Sequence, residues 1–451
     1  MKKRRFFMKK FRFFLLLFLI LSVRSGCFSQ ENVNRENVKL NKTITLEDSI
    51  KITLKNSLDL QVSDQEIQKS EVRVNQAKTG GYPNVNASAY YTRMDPVQSF
   101  EVGGKTTELG SNNQGQAKLT FNYPLYDGRK TTNQVDQATM VSEATRCDRE
   151  VTRQNVIYKA IDSYYGVLRA YKLLDVAHDS LSTTKEQYGI SEAYYEEGLV
   201  AKSDVLSAKA QLANVELGVI SAESNVALKK STLNDTMTIP LNEDFELIDD
   251  LVYKPFPVDT EYSTYLACNN RGEAKKIMYL IKAAEAQIEV AKSDRKPTVT
   301  FNLDYIAYSS TFMNPSNSTN ATVSASIPIF DRGLTTCKID EAEITLAQAK
   351  INLEQLKKAL ALQVTQAYLL LRESEEKVHK VKANLESAQQ NYEVARLRYQ
   401  EGIAPFIEVS NAQLVLTNAQ VDNVQALYDY YLAKASMIKT TGLLPEDGKL
   451  D

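Results

Sequence analysis

Few side chains in this sequence could do chemistry, and their spacing argues against a catalytic centre. His178 and His379 are the only histidines in 451 residues. Each falls on a helical stretch with no cysteine or second histidine at ligand spacing, which predicts solvated rings and no zinc site. The four cysteines, Cys27, Cys147, Cys268 and Cys337, show no CxxC spacing. The last three read as buried or half-buried free thiols. No Gly-x-x-x-x-Gly-Lys phosphate loop and no Gly-x-Ser-x-Gly elbow occurs. The expectation is a protein that is not an enzyme, with no cofactor and no metal. What does recur is a set of paired carboxylates. Asp127 and Asp331 stand 204 positions apart, and so do Asp204 and Glu408. Each falls where a helix begins. There an acid caps free N–H groups, complements the helix dipole and sets a local negative potential.

The interval of 204 belongs to whole helices. An apolar seam with alternating steps of three and four runs Ala160, Ser163, Val167, Ala170, Leu174, Ala177, Leu181, Thr184, Tyr188, Ser191, Tyr195. Every member has a counterpart 204 positions later, from Val364 through Ala388, Tyr392 and Ala395 to Tyr399. Such a seam keeps one stripe of a helix against a partner, as in a coiled coil. The chain is therefore an internal duplication. No proline interrupts Asp127 to Glu197 or Asp331 to Glu401. About seventy helical residues reach roughly 100 Å, the length of something that bridges a wide space.

In chain order, residues 1–29 read as an export signal, with a basic start and an apolar stretch from Phe11 to Val23. Two processing routes fit: cleavage before Gln30, or lipid attachment at Cys27 after a lipoprotein signal of residues 1–26. Loss of eight basic residues takes the formal charge from −2 to −10, which argues against nucleic acid. An N-terminal arm covers 30–44. The first copy, 45–238, opens with a helix capped by Thr45 that runs to about Lys78. Period-two alternation follows, with Val85, Ala87, Ala89 and Tyr91 on one face, then Ala117, Leu119, Phe121 and Tyr123. This predicts a β-hairpin over about 84–124, with pairing ended by Pro124. Asp127 then N-caps the long helix. A tip follows at about 196–203, where Gly198 stops one helix and Ser203 caps the returning one. Residues 239–262 join the copies and must run back along the outside. The second copy, 263–442, repeats the plan with a hairpin over about 298–328 and a tip at about 400–407. The tail, 443–451, is short and polar.

Each strand is roughly ten residues, enough for a tilted strand to cross a bilayer. No ordinary amphipathic helix remains to cover the apolar faces. Four strands cannot close on themselves, so several chains must share a barrel. Two copies would give eight strands and a filled interior; three would give twelve and room for a channel. Polar positions Asn86, Thr120, Asn302 and Ser324 would line that interior.

The duplicated order of helix, hairpin, long helix and helical hairpin resembles the TolC-like outer-membrane efflux protein family. So do Tyr123-Pro124-Leu125-Tyr126-Asp127-Gly128, Ile327-Pro328-Ile329-Phe330-Asp331-Arg332-Gly333, and the paired turns at Gly198-Leu199 and Gly402-Ile403. The resemblance covers essentially the whole processed chain. It implies a mainly α protein with a membrane β-barrel portion, built as a homotrimer. Twelve shared strands would sit in the outer membrane, continuous with an α-helical tunnel in the periplasm. The function implied is the passive exit duct of a tripartite efflux pump, with a periplasmic adaptor and an inner-membrane transporter as partners; a type I protein-secretion duct is the alternative. It further implies that Gly198, Leu199, Gly402 and Ile403 meet the adaptor. Asp204, Tyr399, Glu408 and Asn411 would form the periplasmic gate, with Glu408 in an acidic ring that attracts cations. Ala404 stands where the family has an arginine partner for the tyrosine, so different bonds are expected to hold this gate. The reading from another class is an exported coiled-coil scaffold or adhesin without a pore, which leaves the four strands unexplained.

Overall fold

A computed structural model describes residues 43–97, 99–108, 112–249, 253–310 and 316–445. Cys27 and the export signal lie outside the described residues.

The duplication is visible helix by helix. The first copy holds α1 (Leu46–Asn56), α2 (Leu58–Thr79), α3 (Lys130–Glu196) and α4 (Lys202–Met237). The second holds α5 (Thr260–Asn270), α6 (Gly272–Ser293), α7 (Leu334–Gln400) and α8 (Phe406–Thr440). Helices α3 and α7 each have 67 residues and begin and end 204 positions apart. In the second copy the seam is buried throughout except for half-buried Val378 and Leu385. Thr45 caps α1 in a reciprocal box with Asp48. The opening helix is two helices, however. Ser57 breaks it with extended backbone (φ −52°, ψ 122°), and Arg271 breaks the second copy at the matching position (φ −61°, ψ 139°).

The membrane-length strands form one antiparallel sheet. β2 (Asn84–Arg93), β5 (Asn113–Tyr126), β7 (Thr298–Ser310) and β8 (Ser316–Ser326) lie in the order β2-β5-β7-β8. A small hairpin, β3 (Ser99–Val102) with β4 (Lys105–Glu108), sits between β2 and β5. Register keeps the two faces separate across all four strands. Val85, Phe121, Leu303 and Ala321 stand in one row, and Asn86, Thr120, Asp304 and Asn320 in the next. A slip of one residue would exchange every apolar side chain for a polar one. Pro124 does not end pairing: β5 continues to Tyr126, and a bulge between Pro124 and Tyr126 absorbs the missing donor. Tyrosines bound the apolar face, with Tyr123 and Tyr126 at one end and Tyr91 at the other. Gly115, opposite Tyr91, is ten ladder steps from Tyr126. At about 3.3 Å a step and a tilt of about 40°, that separates the two tyrosine rows by roughly 25 Å, the height of an outer-membrane apolar band.

The start of each long helix departs from simple N-capping. The cap positions are Arg129 (φ 69°) and Gly333 (φ 85°), with no side-chain bond. Asp127 and Asp331 reach in from two residues earlier and accept from the N–H groups of Thr131 (2.7 Å) and Thr335 (2.8 Å). Asp294, just past α6, accepts from Lys130 and Lys338, both at 2.8 Å, so one carboxylate ties the starts of both long helices together. Hydrogen bonds from these two ammonium groups hold its carboxyl below the ordinary carboxylate range. A depressed folded value contributes stability that is complete above about pH 3.9, the unfolded value, and is lost as pH falls through the folded one. Asp294→Asn is expected to lower the melting temperature by a few degrees at pH 7 and to remove this acid-side loss. Circular dichroism melts across the acid range check it.

At mid-length, β1 (Thr43–Ile44) pairs in parallel with β6 (Glu246–Leu247). The Tyr164 hydroxyl donates to the carbonyls of Ile44 (3.2 Å) and Ile248 (2.8 Å), fixing both segments to α3. The connection between copies lies on α7 and α8, where Tyr430 donates to the Lys254 carbonyl at 2.6 Å. His379 is exposed but not simply solvated: its Nε2 is 3.2 Å from the Tyr253 hydroxyl, and the rings meet edge to face. Cys147 and Cys268 are half-buried, whereas Cys337 is exposed, contrary to expectation, because the buried face of α7 there runs through Thr335, Ile339 and Ala342. Of the tail, 443–445 are described, and there Leu444 is buried and its backbone N–H and C=O exchange bonds with the Gln154 amide.

Candidate functional site

The far ends of the long helices carry the same turn twice. After α3, Gly198 donates to the Tyr195 carbonyl (3.0 Å) and Leu199 to that of Tyr194 (2.8 Å). After α7, Gly402 donates to Tyr399 (3.0 Å) and Ile403 to Arg398 (2.8 Å). These are paired Schellman bonds, which require a left-handed residue after the helix. Gly198 has φ 75° and Gly402 φ 69°, and a Cβ at either would meet nothing within 4 Å. The backbone angle alone therefore selects glycine. Each turn ends on an apolar side chain held in solvent: Leu199 is 66% exposed and Ile403 68%. Ser203 does not cap the return helix. The cap position of α4 is Ala201, and Ser203 is already inside the helix, turned toward Asp204.

Behind the tips, α7 and α8 close on Tyr392, Ala395, Tyr399, Phe406, Val409 and Ala412, with Ala208 of α4 beside them. The first copy is held against this cluster by uncharged polar bonds. Gln413 donates to Thr184 at 2.9 Å, and Gln187 donates to the Tyr392 hydroxyl at 3.1 Å. The Ser191 and Tyr399 hydroxyls lie 2.8 Å apart, and Tyr194 donates to the Gln400 carbonyl at 2.7 Å. Burial pushes the Tyr399 phenol up, and the nearby charge of Asp204 adds to this.

The candidate gate residues thus fall into two groups. Tyr399 and Asp204 come together at the contact between hairpins. Glu408 lies one helix away and accepts from the Arg398 guanidinium at 2.5 Å. In the single chain this carboxylate is therefore already paired with a cation. Asn411 is exposed one turn further along α8. The bonds through Thr184, Gln187 and Tyr194 were not foreseen. Their signal was available, because Thr184 and Ser191 are hydroxyls at seam positions where the second copy has Ala388 and Ala395. The asymmetry also turns Tyr195 outward, at 43% exposure, while its counterpart Tyr399 is buried at 3%. In the sheet, Asn86, Thr120, Asn302 and Ser324 share the polar face. Asn122 donates to Asn302 at 2.6 Å, and Thr120 to Asp304 at 2.7 Å.

A strongly duplicated pair of long helical hairpins joined to a four-stranded membrane-length sheet defines an outer-membrane duct architecture. The family described as outer membrane efflux protein matches residues 49–237 and 266–443, one segment in each copy. The chain belongs to that family. The outer membrane efflux protein BepC of Brucella suis biovar 1 (strain 1330) is 23% identical over 408 residues, covering 89% of this chain and 86% of its own. The probable outer membrane lipoprotein SilC of Salmonella typhimurium is 21% identical over 397 residues, covering 86% and 84%. The crystal structure of the Campylobacter jejuni CmeC outer membrane channel superposes with a TM-score of 0.74 at 18% identity, covering 88% of this chain and 86% of that one.

Proposed function

We propose that three copies of this chain form a passive exit duct, opened at its helical tips by a periplasmic adaptor and an inner-membrane pump to export small molecules such as drugs. The observation that carries the reading is the sheet. It has one apolar and one polar face, and in a single chain two edges, β2 and β8, pair with nothing among the described residues. Edge-to-edge joining of three copies gives twelve strands with the Asn86, Thr120, Asn302 and Ser324 face inward. The helices continue from it for about 100 Å to apolar tips that suit docking. The chain has no phosphate loop to energise transport, so a pump must. Gly198, Leu199, Gly402 and Ile403 are assigned to adaptor contact, and Asp204, Tyr399, Glu408 and Asn411 to the gate. Cys27 is assigned as the lipid site if residues 1–26 are the segment removed.

Replacing Leu199 and Ile403 together by aspartate tests the docking role. Burying two charges in an apolar contact is costly. Drug resistance is expected to fall roughly tenfold or more, with membrane insertion and native mass unchanged; full resistance would overturn the reading. The charge at the gate has its own test. Glu408 and Arg398 form a pair, so Glu408→Ala uncovers the guanidinium. Reversal potentials in a salt gradient are expected to shift toward anions. An unchanged potential would place this pair away from the ion path.

A further inference from the structure

Away from the tips, a cavity of about 340 Å³ opens between α3, α7, α8 and the break between α5 and α6, lined by Asn155, Arg271, Gln363, Gln366, Ser436 and Lys439 among others. It holds two cations and one nearby acid. Arg271, whose side chain is 15% exposed, forms a two-bond pair with Glu273 and donates to Gln363 at 2.6 Å. Lys439 has no carboxylate within ion-pair distance among the described residues. Its ammonium sits 4.6 Å from the centre of the Tyr158 ring. Desolvation, and then the charge of Arg271, disfavour its protonated form, and the charge of Glu273 offsets them in part. Glu273 is bonded to Arg271 and neutralises one of the two cations, which leaves half-buried Lys439 without a bonded anion, a situation that a further negative group in the cavity would relieve. The fold itself does not require them. The positions matching Arg271 and Lys439 in the first copy are Ser57 and Asp235, and the backbone there takes the same course.

We propose that this cavity is a binding site for an oxyanion, a phosphate or carboxylate group, held by Lys439 and Arg271 with the amides of Asn155, Gln363 and Gln366 as neutral donors. Charge-assisted bonds to an oxyanion are the contacts such a set can make. Two sources can supply the group. One is a solute; the other is the acidic run Glu446-Asp447, which follows closely on Leu444 in sequence, beside Gln154.

The test is titration of the full chain in detergent with inorganic phosphate, read by calorimetry and by melting temperature, alongside a chain ending at Pro445. Phosphate binding by both proteins assigns the solute. Binding by the shortened chain alone assigns the tail as the native occupant. In either case Lys439→Met, which keeps the packing of the stem, is expected to weaken binding roughly tenfold; Gln366→Leu provides a second, uncharged check. No binding by either chain, or binding unaffected by Lys439→Met, would overturn the proposal. Neither outcome bears on conductance, so the duct reading is tested separately.

Discussion

Bilayers holding protein with Tyr194→Phe and Tyr399→Phe are expected to conduct roughly tenfold more current at rest than bilayers holding the parent protein. Both substitutions keep the rings, so the cluster around Phe406 stays packed. What is lost is the bond from Tyr194 to the Gln400 carbonyl and the Tyr399–Ser191 contact, at 2.7 and 2.8 Å. Each contributes about 1 kcal/mol net, and a factor of ten in population corresponds to about 1.4 kcal/mol. Two lost bonds per chain therefore suffice for the effect even if the hairpins part incompletely. These groups are three hydroxyls and a backbone carbonyl. The resting current of the parent is accordingly expected to vary little with pH between about 5 and 8, the range in which histidines titrate. Single-channel recording decides. An unchanged resting conductance in the double variant would mean that these bonds do not hold the closed state.

The second large effect lies at the break between α5 and α6. A Cβ at Gly272 would sit 2.6 Å from the Cys147 carbonyl and 2.7 Å from the Val151 side chain. The carbonyl belongs to a long helix and cannot turn aside. Gly272→Ala is expected to destabilise the chain by about 1–3 kcal/mol through forced displacement of α6 from α3. Gly189 and Gly218 lie inside α3 and α4 with open space around them. Alanine there is expected to be neutral or mildly stabilising, since glycine costs about 0.5–1 kcal/mol inside a helix. Thermal melts of the three variants in one detergent compare them directly. Equal melting temperatures would show that the contact at Gly272 relaxes freely.

Much of the architecture was legible because it rests on periodicity. The three-four seam and the proline-free stretches gave both long helices their extent, and strict alternation gave the strands two faces that the sheet keeps apart up to the bulge at Pro124. Features that depend on contacts distant in sequence were not legible. The breaks at Ser57 and Arg271 carry only weak local signals, a single N-cap serine whose hydroxyl accepts from the Leu60 N–H and the glycine that follows Arg271, and both were read as helix interior. Pro124 reads as a strand end, yet a bulge carries the pairing past it. The gate residues Asp204, Tyr399, Glu408 and Asn411 were named only through the family resemblance, and Arg398, which pairs with Glu408, was not named at all. The polar bonds between hairpins were hidden because a serine or threonine on a seam reads first as a small packing residue.

The two unpaired edges of the sheet bear on how the molecule is made. Each edge carries a row of N–H and C=O groups that water can satisfy and hydrocarbon cannot. A lone chain therefore gains little by entering lipid, and in solution its edges invite pairing with any exposed strand. If three copies share the barrel as proposed, entry into the membrane and recognition among copies become one event. Its rate should climb steeply with the amount of chain delivered, and a shortage of partners would leave the protein stranded on the aqueous side and not half-inserted.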